Sequence, residues 1–499
     1  MTEMIELPVL IAGKRVAGRP ESFKLEFDSG ITVTMPRPTV ADAHAIVASD
    51  RAPLAAVSVD DLTIFFDRVR QRWMDPKNVW RRMAIDLATK MTGYARPVIE
   101  SDVNYLGHTL TRLKQYDFIE TDLGDPALLD EWRPRQAVMS RCLPMGLICH
   151  IMVGNVPLAS LFTLYRSLVT KNITVAKVPS RDVASALCFA NCIFDTDPNH
   201  PASKALSCLY WESESEFENI LLASSDLVSV WGRGDTVDKV RRRVPGHAEF
   251  LFFGPKRSLA IVTSAATDLD DVAMRLGFDV SIYDQEACFS AQEAFVQGDA
   301  NRFGESLAAW LRRYHKVLPR RQLTVDADAH VQRCRREAEA EGWTVHAPKT
   351  TEWTVVVTDG PVRLDTHPAG RFVYVHPIER LEQVAALIDR GVQTVAIAPT
   401  DLPPEQMTMI CQAGADRIVN VGRMTRFRPG LSHDGVYPMA RMVRWVTRER
   451  DVTYKYRFME EDADAYDERL YGFVKQVARA EAAEAGTGGA GPAAGKDPR

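Results

Sequence analysis

The sequence predicts an α/β fold of two lobes, and three observations carry that expectation. Strand-like and helix-like segments alternate through most of the chain, the pattern of parallel strands covered by helices. The alternation starts twice, near residue 150 and again near residue 255, so two sheets with a cleft between them are expected. The composition is that of a packed globular protein: 499 residues, 46% apolar, 25% charged and 8% aromatic. Whole-chain disorder and a fibrous repeat are excluded. In such folds ligands sit at the carboxyl ends of the strands.

The elements follow in order. LEFDSGITVTMP alternates at period two and reads as short strands with turns. Between about residues 61 and 118 apolar residues recur at helical spacing through DLTIFFDRVRQRW, WRRMAIDLATKM and ARPVIESDVNYLGHTLTRL. AVMSRCLPMGLICHIMV reads as extended chain broken at Pro144 and Gly146. Next come a helix over Leu158–Thr170, the strand ITVAKV, a helix over Val183–Phe194, a short helix near Glu214–Ala223 and the strand LVSVWG. In the second section SLAIVTS is a strand and TDLDDVAMRLGFDV a helix, and the segment after Asp284 is expected to begin another helix. FVYVHPI, TVAIAPT and RIVNVGR are strands alternating with the helices ERLEQVAALIDRG and PPEQMTMICQAG. From about Ala480 the Ala/Gly-rich tail has no aliphatic anchors and is expected to be disordered.

Charge and cysteine usage narrow the function. Lys plus Arg number 61 and Asp plus Glu 66, a net charge of -5, which argues against nucleic acid as the main partner. The acidic start MTEMIELPVLIAGKRV is the reverse of a secretory leader, and no run of apolar residues is long enough to span a membrane. Eight cysteines are too sparse for a disulfide scaffold, and without a C-x-x-C no metal site is expected. Cys188 and Cys192, four apart in ASALCFANCIF, read as buried packing. A reduced, cytoplasmic protein is the expectation.

Four local features fall in a suggestive order. PMGLICHIMVGNVP places Asn155 nine positions after Gly146, and a strand ends in Lys177, 22 residues beyond Asn155, followed by Ser180-Arg181-Asp182. LVSVWGRGD then runs into Gly232 and Gly234, and FFGPKRSLAIV precedes YDQEACFSAQ, with Cys288 36 residues after Phe252. This order and spacing resembles the aldehyde dehydrogenase superfamily, and G-N-V-P with D-Q-x-A-C is similar to its acyl-CoA reductase branch, the type found in the fatty acid reductase of bacterial bioluminescence. The resemblance covers about residues 60–440.

The resemblance implies an aldehyde dehydrogenase-like fold and residue roles. Cys288 is the nucleophile; a thiolate attacks thioester or aldehyde carbonyls, and a helix starting after it would supply positive potential. Asn155, with the Cys288 backbone N–H, is the oxyanion donor. Lys177 binds the adenosine ribose of the cofactor. Ser180 stands where relatives often carry a glutamate, and beside Arg181 it favours NADPH, with NADH possible. Gly232 and Gly234 let backbone approach the cofactor, although Val237 replaces the family's second glycine. Phe252 or Phe253 occupies the place of the general base that hydrolyses the acyl-enzyme in aldehyde oxidisers, so the expected direction is reduction.

The expected protein is an NADPH-dependent reductase of a medium- or long-chain acyl thioester, working through acyl-Cys288. Its donor is acyl-CoA, an acyl-carrier or an acyl-synthetase protein, and a homo-oligomer is expected. A cofactor lobe spans residues 1–250 with bridging strands about 134–146, a catalytic lobe 251–430, a C-terminal bridging segment 431–479 and the tail 480–499. The alternatives are an aldehyde-oxidising dehydrogenase, an acyl-accepting partner of a synthetase complex without strong reductase activity, and a noncatalytic scaffold. A basic cluster (Arg312, Arg313, His315, Lys316, Arg320, Arg321) reads as a solvated helix end or a contact for coenzyme A phosphates or an acidic carrier protein, and His433-Asp434-Gly435 as a turn without a fixed role.

Overall fold

The computed structural model describes residues 3–135, 138–232, 234–364, 366–426, 428–449 and 472–482. The chain divides into a large unit, Met1–Glu131 with Arg141–Trp445, and a small one, Trp132–Ser140 with Val446–Arg499. Two seven-stranded sheets organise the large unit.

In the first sheet the spatial order is Glu249–Phe253, Leu227–Trp231, Leu147–Ile151, Ile173–Lys177, Leu206–Leu209, then the hairpin Val9–Ile11 and Lys14–Val16. Its first five strands are parallel and the hairpin joins antiparallel. Leu147–Ile151 and Ile173–Lys177 are buried along their whole length, as strands covered on both faces must be. The covering helices Pro157–Val169 and Val183–Thr196 are apolar nearly all round, and Cys188 and Cys192 are packed inside the latter. Amphipathic helices Val59–Met74, Val79–Thr92 and Arg96–Thr109 pack outside them, the first two started by the side-chain caps of Ser58 and Asn78. Chain order reverses between Leu147–Ile151 and Leu227–Trp231, which leaves a crevice at their carboxyl ends.

The second sheet runs Thr344–His346, Thr354–Val357, Phe372–Ile378, Ala291–Gln297, Arg257–Val262, Val392–Ala398, Arg417–Asn420. Only Thr344–His346 is antiparallel to its neighbour. The chain crosses from the first sheet to the second at Gly254–Lys256. Ala291–Gln297 corrects one expectation: the segment after Asp284 is a central strand and not a helix. Ala, Gln and Glu are good helix formers, but neighbouring strands flank this segment on both sides and bury it, and that outweighs local propensity. No helix therefore begins beside Cys288.

The small unit contains the antiparallel pairing of Arg133–Arg135 with Val138–Ser140, and Arg448 lies over the Trp132 ring at 5.2 Å. Residues 472–482 are helical, so residues 480–482 of the expected tail are ordered in a helix; 483–499 lie outside the described residues. No helix among the described residues is long and apolar enough to cross a membrane.

One buried carboxyl gives the fold a pH signature. Asp102, on helix Arg96–Thr109, accepts a hydrogen bond from Tyr283 at 2.5 Å, and burial pushes its pKa up from 3.8 to about 7. A raised folded-state pKa means stability that is complete below the unfolded value and is lost as pH rises through 7. Asp102→Asn removes that ionisation. The variant is expected to gain on the parent protein, by on the order of a few kcal/mol, as pH rises from about 4 to beyond 7. Denaturant melts across that range measure the gain.

Candidate active site

The crevice of the first sheet opens into a cavity of about 560 Å³ whose lining includes Asn155, Arg181, Trp231, Phe253, Glu286 and Cys288. Trp231 ends one strand and Phe253 the next, so their rings stack at 4.1 Å on the same side of the sheet. Gly232 also lines the cavity. Strand alternation settles which phenylalanine faces it: Phe253 does, while Phe252 is 49% exposed on the other face.

Cys288 sits on the loop that enters Ala291–Gln297, at the amino edge of the second sheet. Ser258 donates to its carbonyl at 2.7 Å. The loop is built unusually. Tyr283, Asp284 and Gln285 have φ of 55°, 50° and 66°, three consecutive left-handed residues and none of them glycine. Each costs about 1–2 kcal/mol relative to a right-handed conformation. Their side chains offset that cost. Tyr283 bonds Asp102, and buried Asp284 pairs with buried Arg371 and accepts from the Arg321 backbone N–H. Gln285 donates to the carbonyls of Ala291 and Phe372 and accepts from the Phe372 N–H. The D-Q of D-Q-x-A-C is thus a clamp that aims the cysteine.

Asn155 follows the strand Leu147–Ile151, two residues before the helix starting at Pro157. Its amide donates to the Glu286 carbonyl at 2.8 Å, which uses one of its two N–H groups and anchors it to the cysteine loop. Around it, the Glu286 carboxylate is held by Arg181 at 2.5 Å, by Arg321 and by the Tyr94 hydroxyl at 2.8 Å. The same hydroxyl lies 3.0 Å from the Asn155 carbonyl. With the role of oxyanion donor that the resemblance implies, Asn155→Ala is expected to lower kcat by about 10²–10³ with little change in KM, since such a donor acts mainly in the transition state. Steady-state kinetics of aldehyde release check this.

The cofactor candidates are divided by the structure. Lys177, at its strand end, donates to Ser213 at 2.8 Å and to Glu218 at 3.0 Å. Burial pushes the Glu218 carboxyl up, but Lys177, the Glu214 backbone N–H and Arg243 outweigh it and hold the pKa low. Ser180 is exposed, and Gly234 starts the helix Gly234–Arg241 with open space where a Cβ would stand. Arg181 is separated from this group: its guanidinium belongs to the Glu286 cluster in the cavity with Cys288.

The electrostatics at Cys288 differ from the sequence expectation. Burial first, then the Asp434 carboxylate, push its thiol up to about 12, against the opposing effects of Gln393 and Arg417. Cys288 therefore rests as a thiol. Residues missed in the sequence include Arg321, which sat inside the basic cluster but reaches Glu286, and Gln393, a polar residue in the buried strand Val392–Ala398. The rest of that cluster is spread: Arg313 lies over the Trp310 ring and Arg320 bonds Thr351. His433 is buried, its pKa pushed to about 3, and packs against Trp231 and Phe253.

The sequence pattern of the acyl-CoA reductase (LuxC) family matches residues 54–445. The chain belongs to this family. Among curated acyl-CoA reductase relatives, the long-chain acyl-protein thioester reductase of Vibrio harveyi is 29% identical over 471 residues, 91% of this chain and 98% of that one. The protein of the same name from Photorhabdus luminescens is 30% identical over 413 residues, 80% of this chain and 86% of that one. Solved structures similar to this acyl-CoA reductase family member include an NADP dependent enzyme of E. coli (TM-score 0.72, 15% identity, 89% of this chain and 98% of that one). Aldehyde dehydrogenase 21 from Physcomitrella patens is similar at TM-score 0.71 and 15% identity, covering 91% of this chain and all of that one. The fold is that of the aldehyde dehydrogenases.

Proposed function

We propose that this acyl-thioester reductase forms its aldehyde through an acyl-Cys288 intermediate, takes long-chain acyl groups from a protein-bound thioester and uses NADPH in preference to NADH. The observation that carries the reading is the state of the cavity's carboxylates and aromatics. Phe253 lines the cavity with Cys288, at the place the resemblance gives to a water-activating base; the Glu286 carboxylate is occupied by two arginines and a tyrosine and the Asp434 carboxylate by Gln393. An acyl group on Cys288 is thereby kept from water.

A dinucleotide fits the residues present. The carboxyl ends of Leu147–Ile151 and Leu227–Trp231 open on the cavity, Gly232 lines it, and the surface is clear at Gly234. Gly232 and Gly234 would lie along the cofactor, and Lys177, whose ammonium has three donors and uses two here, would reach its ribose. Ser180 carries no charge to repel a 2′-phosphate, so the NADPH preference rests on Ser180 and Lys177; Arg181 no longer supports it. When bound, the cofactor supplies hydride to the acyl carbon.

The chain's own residues do the rest. Cys288 gives up its proton, its sulfur bonds the acyl carbon, the donor's carbon–sulfur bond breaks and the departing thiolate takes a proton. Asn155 and the Cys288 N–H hold the oxyanion of the tetrahedral species, and hold it again when the thiohemiacetal collapses to aldehyde and thiol. Reduced thiols at all eight cysteines suit a cytoplasmic setting, and a homo-oligomer is part of the reading.

A panel of acyl-CoAs and acylated proteins with NADPH and NADH tests it, following cofactor oxidation and identifying the product. Aldehyde from long-chain acyl-protein with NADPH supports the reading. Acid from aldehyde at a matching rate identifies an oxidising dehydrogenase, and stoichiometric acylation of Cys288 without cofactor oxidation identifies an acyl-holding partner.

A further inference from the structure

The late His433-Asp434-Gly435 turn and the polar residue of the strand Val392–Ala398 meet at the nucleophile. Gln393 Nε2 lies 3.1 Å from Cys288 Sγ and 2.5 Å from Asp434 Oδ1. Gln393 is 3% exposed and the Asp434 side chain 7%. An amide nitrogen carries two hydrogens and a carboxylate only accepts. With the amide reversed, its oxygen would face the carboxylate oxygen and leave both without a donor. Asp434 therefore fixes which end of the Gln393 amide faces the sulfur.

We infer that Gln393 is a positioning residue for Cys288, donating an N–H to the sulfur each time it becomes anionic, and that Asp434 holds Gln393 in the donating orientation. The inference rests on Cys288 being the nucleophile of the reductase reading. The sulfur carries negative charge twice in a turnover: when it loses its proton to attack the thioester, and when the carbon–sulfur bond of the thiohemiacetal breaks and returns the electron pair to it. A donor already in place costs no reorganisation at either moment. Asp434 has a second, opposing effect, because its charge disfavours the thiolate. Other charged and titratable groups facing this region include His433 beside Asp434, Arg417 at the start of its strand, Lys256 with its partner Asp416, and Glu286 on the cysteine loop with its partner Arg181.

The opposing effects give a test by sign. Alkylation of Cys288 by iodoacetamide, followed across pH in the resting protein by mass spectrometry of its peptide, reads thiolate formation. Gln393→Leu removes the donor and is expected to slow alkylation about ten-fold at a given pH and to lower kcat for the thioester about ten-fold with KM within about two-fold. Asp434→Asn removes the charge while its amide oxygen still accepts from Gln393, so alkylation is expected to speed up several-fold. Gln393→Glu keeps the size, lacks the donor and adds charge; it is expected to be slower than Gln393→Leu, and it carries the test if the leucine variant fails to fold. Shifts of Gln393→Glu and Asp434→Asn in the same direction, or no shift in either, overturn the inference. The readout needs neither thioester nor NADPH. Aldehyde formation failing while alkylation moves as stated refutes the reductase reading alone, and normal aldehyde formation with unmoved alkylation refutes this inference alone.

Discussion

Replacing Cys288 by alanine is expected to lower thioester reduction by a factor on the order of 10⁴ or more and to abolish acyl labelling of the protein. The size follows from what is lost. On the proposed mechanism Asn155 and the backbone N–H would still polarise a bound carbonyl, but no sulfur would remain to form the intermediate that accepts hydride. Other thiols do not substitute. Cys142, Cys149, Cys188, Cys192, Cys208 and Cys334 are buried, and burial pushes the Cys149 and Cys192 thiols up to about 12. Cys411 is exposed but does not line the cavity, so Cys411→Ala is the control and is expected to leave both readouts unchanged. Mass spectrometry after incubation with acyl donor, alongside single-turnover aldehyde release, checks both variants.

The second large effect is expected from the clamp behind the cysteine. Arg371→Met leaves the buried Asp284 carboxylate without its cation, and breaking a buried pair in this way costs about 3–5 kcal/mol. Activity is expected to fall as well, by about 10²-fold, because relaxation of the left-handed turn displaces Cys288 from Asn155 and Gln393. A double variant separates the two losses. Asp284→Leu with Arg371→Met removes both charges, so stability is expected to recover by most of the loss while activity stays low, since Asp284 no longer fastens the turn to Arg321. Denaturant unfolding and kcat on the same preparations decide it. Equal recovery of both quantities would show that the turn holds its shape without the pair.

Much of the fold was legible because periodicity and burial agree. ITVAKV and LVSVWG are apolar runs of strand length with turn residues after them, and both are strands of the first sheet. Cys288 and Asn155 were singled out from their place in an ordered set of motifs; they line one cavity, with Asn155 bonded to the Glu286 carbonyl two residues before Cys288. The strand after Cys288 was misread because AQEAFVQ is locally helical and only its neighbours Arg257–Val262 and Phe372–Ile378 make it a strand. The same locality hid the residues around the site. Arg321 looks like one more charge at a helix end until the chain returns it to Glu286, 35 positions earlier. Gln393 carried a signal in retrospect, a hydrogen-bonding side chain in VQTVAIA where every neighbouring position is buried. Phe252 and Phe253 differ only by strand register, which one sequence does not settle.

The left-handed turn before Cys288 also has a consequence for the order in which the molecule matures. Tyr283 is tied to Asp102, made earlier, but Asp284 and Gln285 are tied to Arg371 and Phe372, and the sulfur itself to Gln393 and through it to Asp434, all made later. A growing chain that has just completed its cysteine has only the Tyr283–Asp102 bond to keep three non-glycine residues in that winding. Cys288 therefore comes into register only when the last strands of the second sheet have docked. A truncated chain is expected to carry an ordinary cysteine, and on the proposed mechanism the acquisition of an acyl group would report that synthesis and folding are finished.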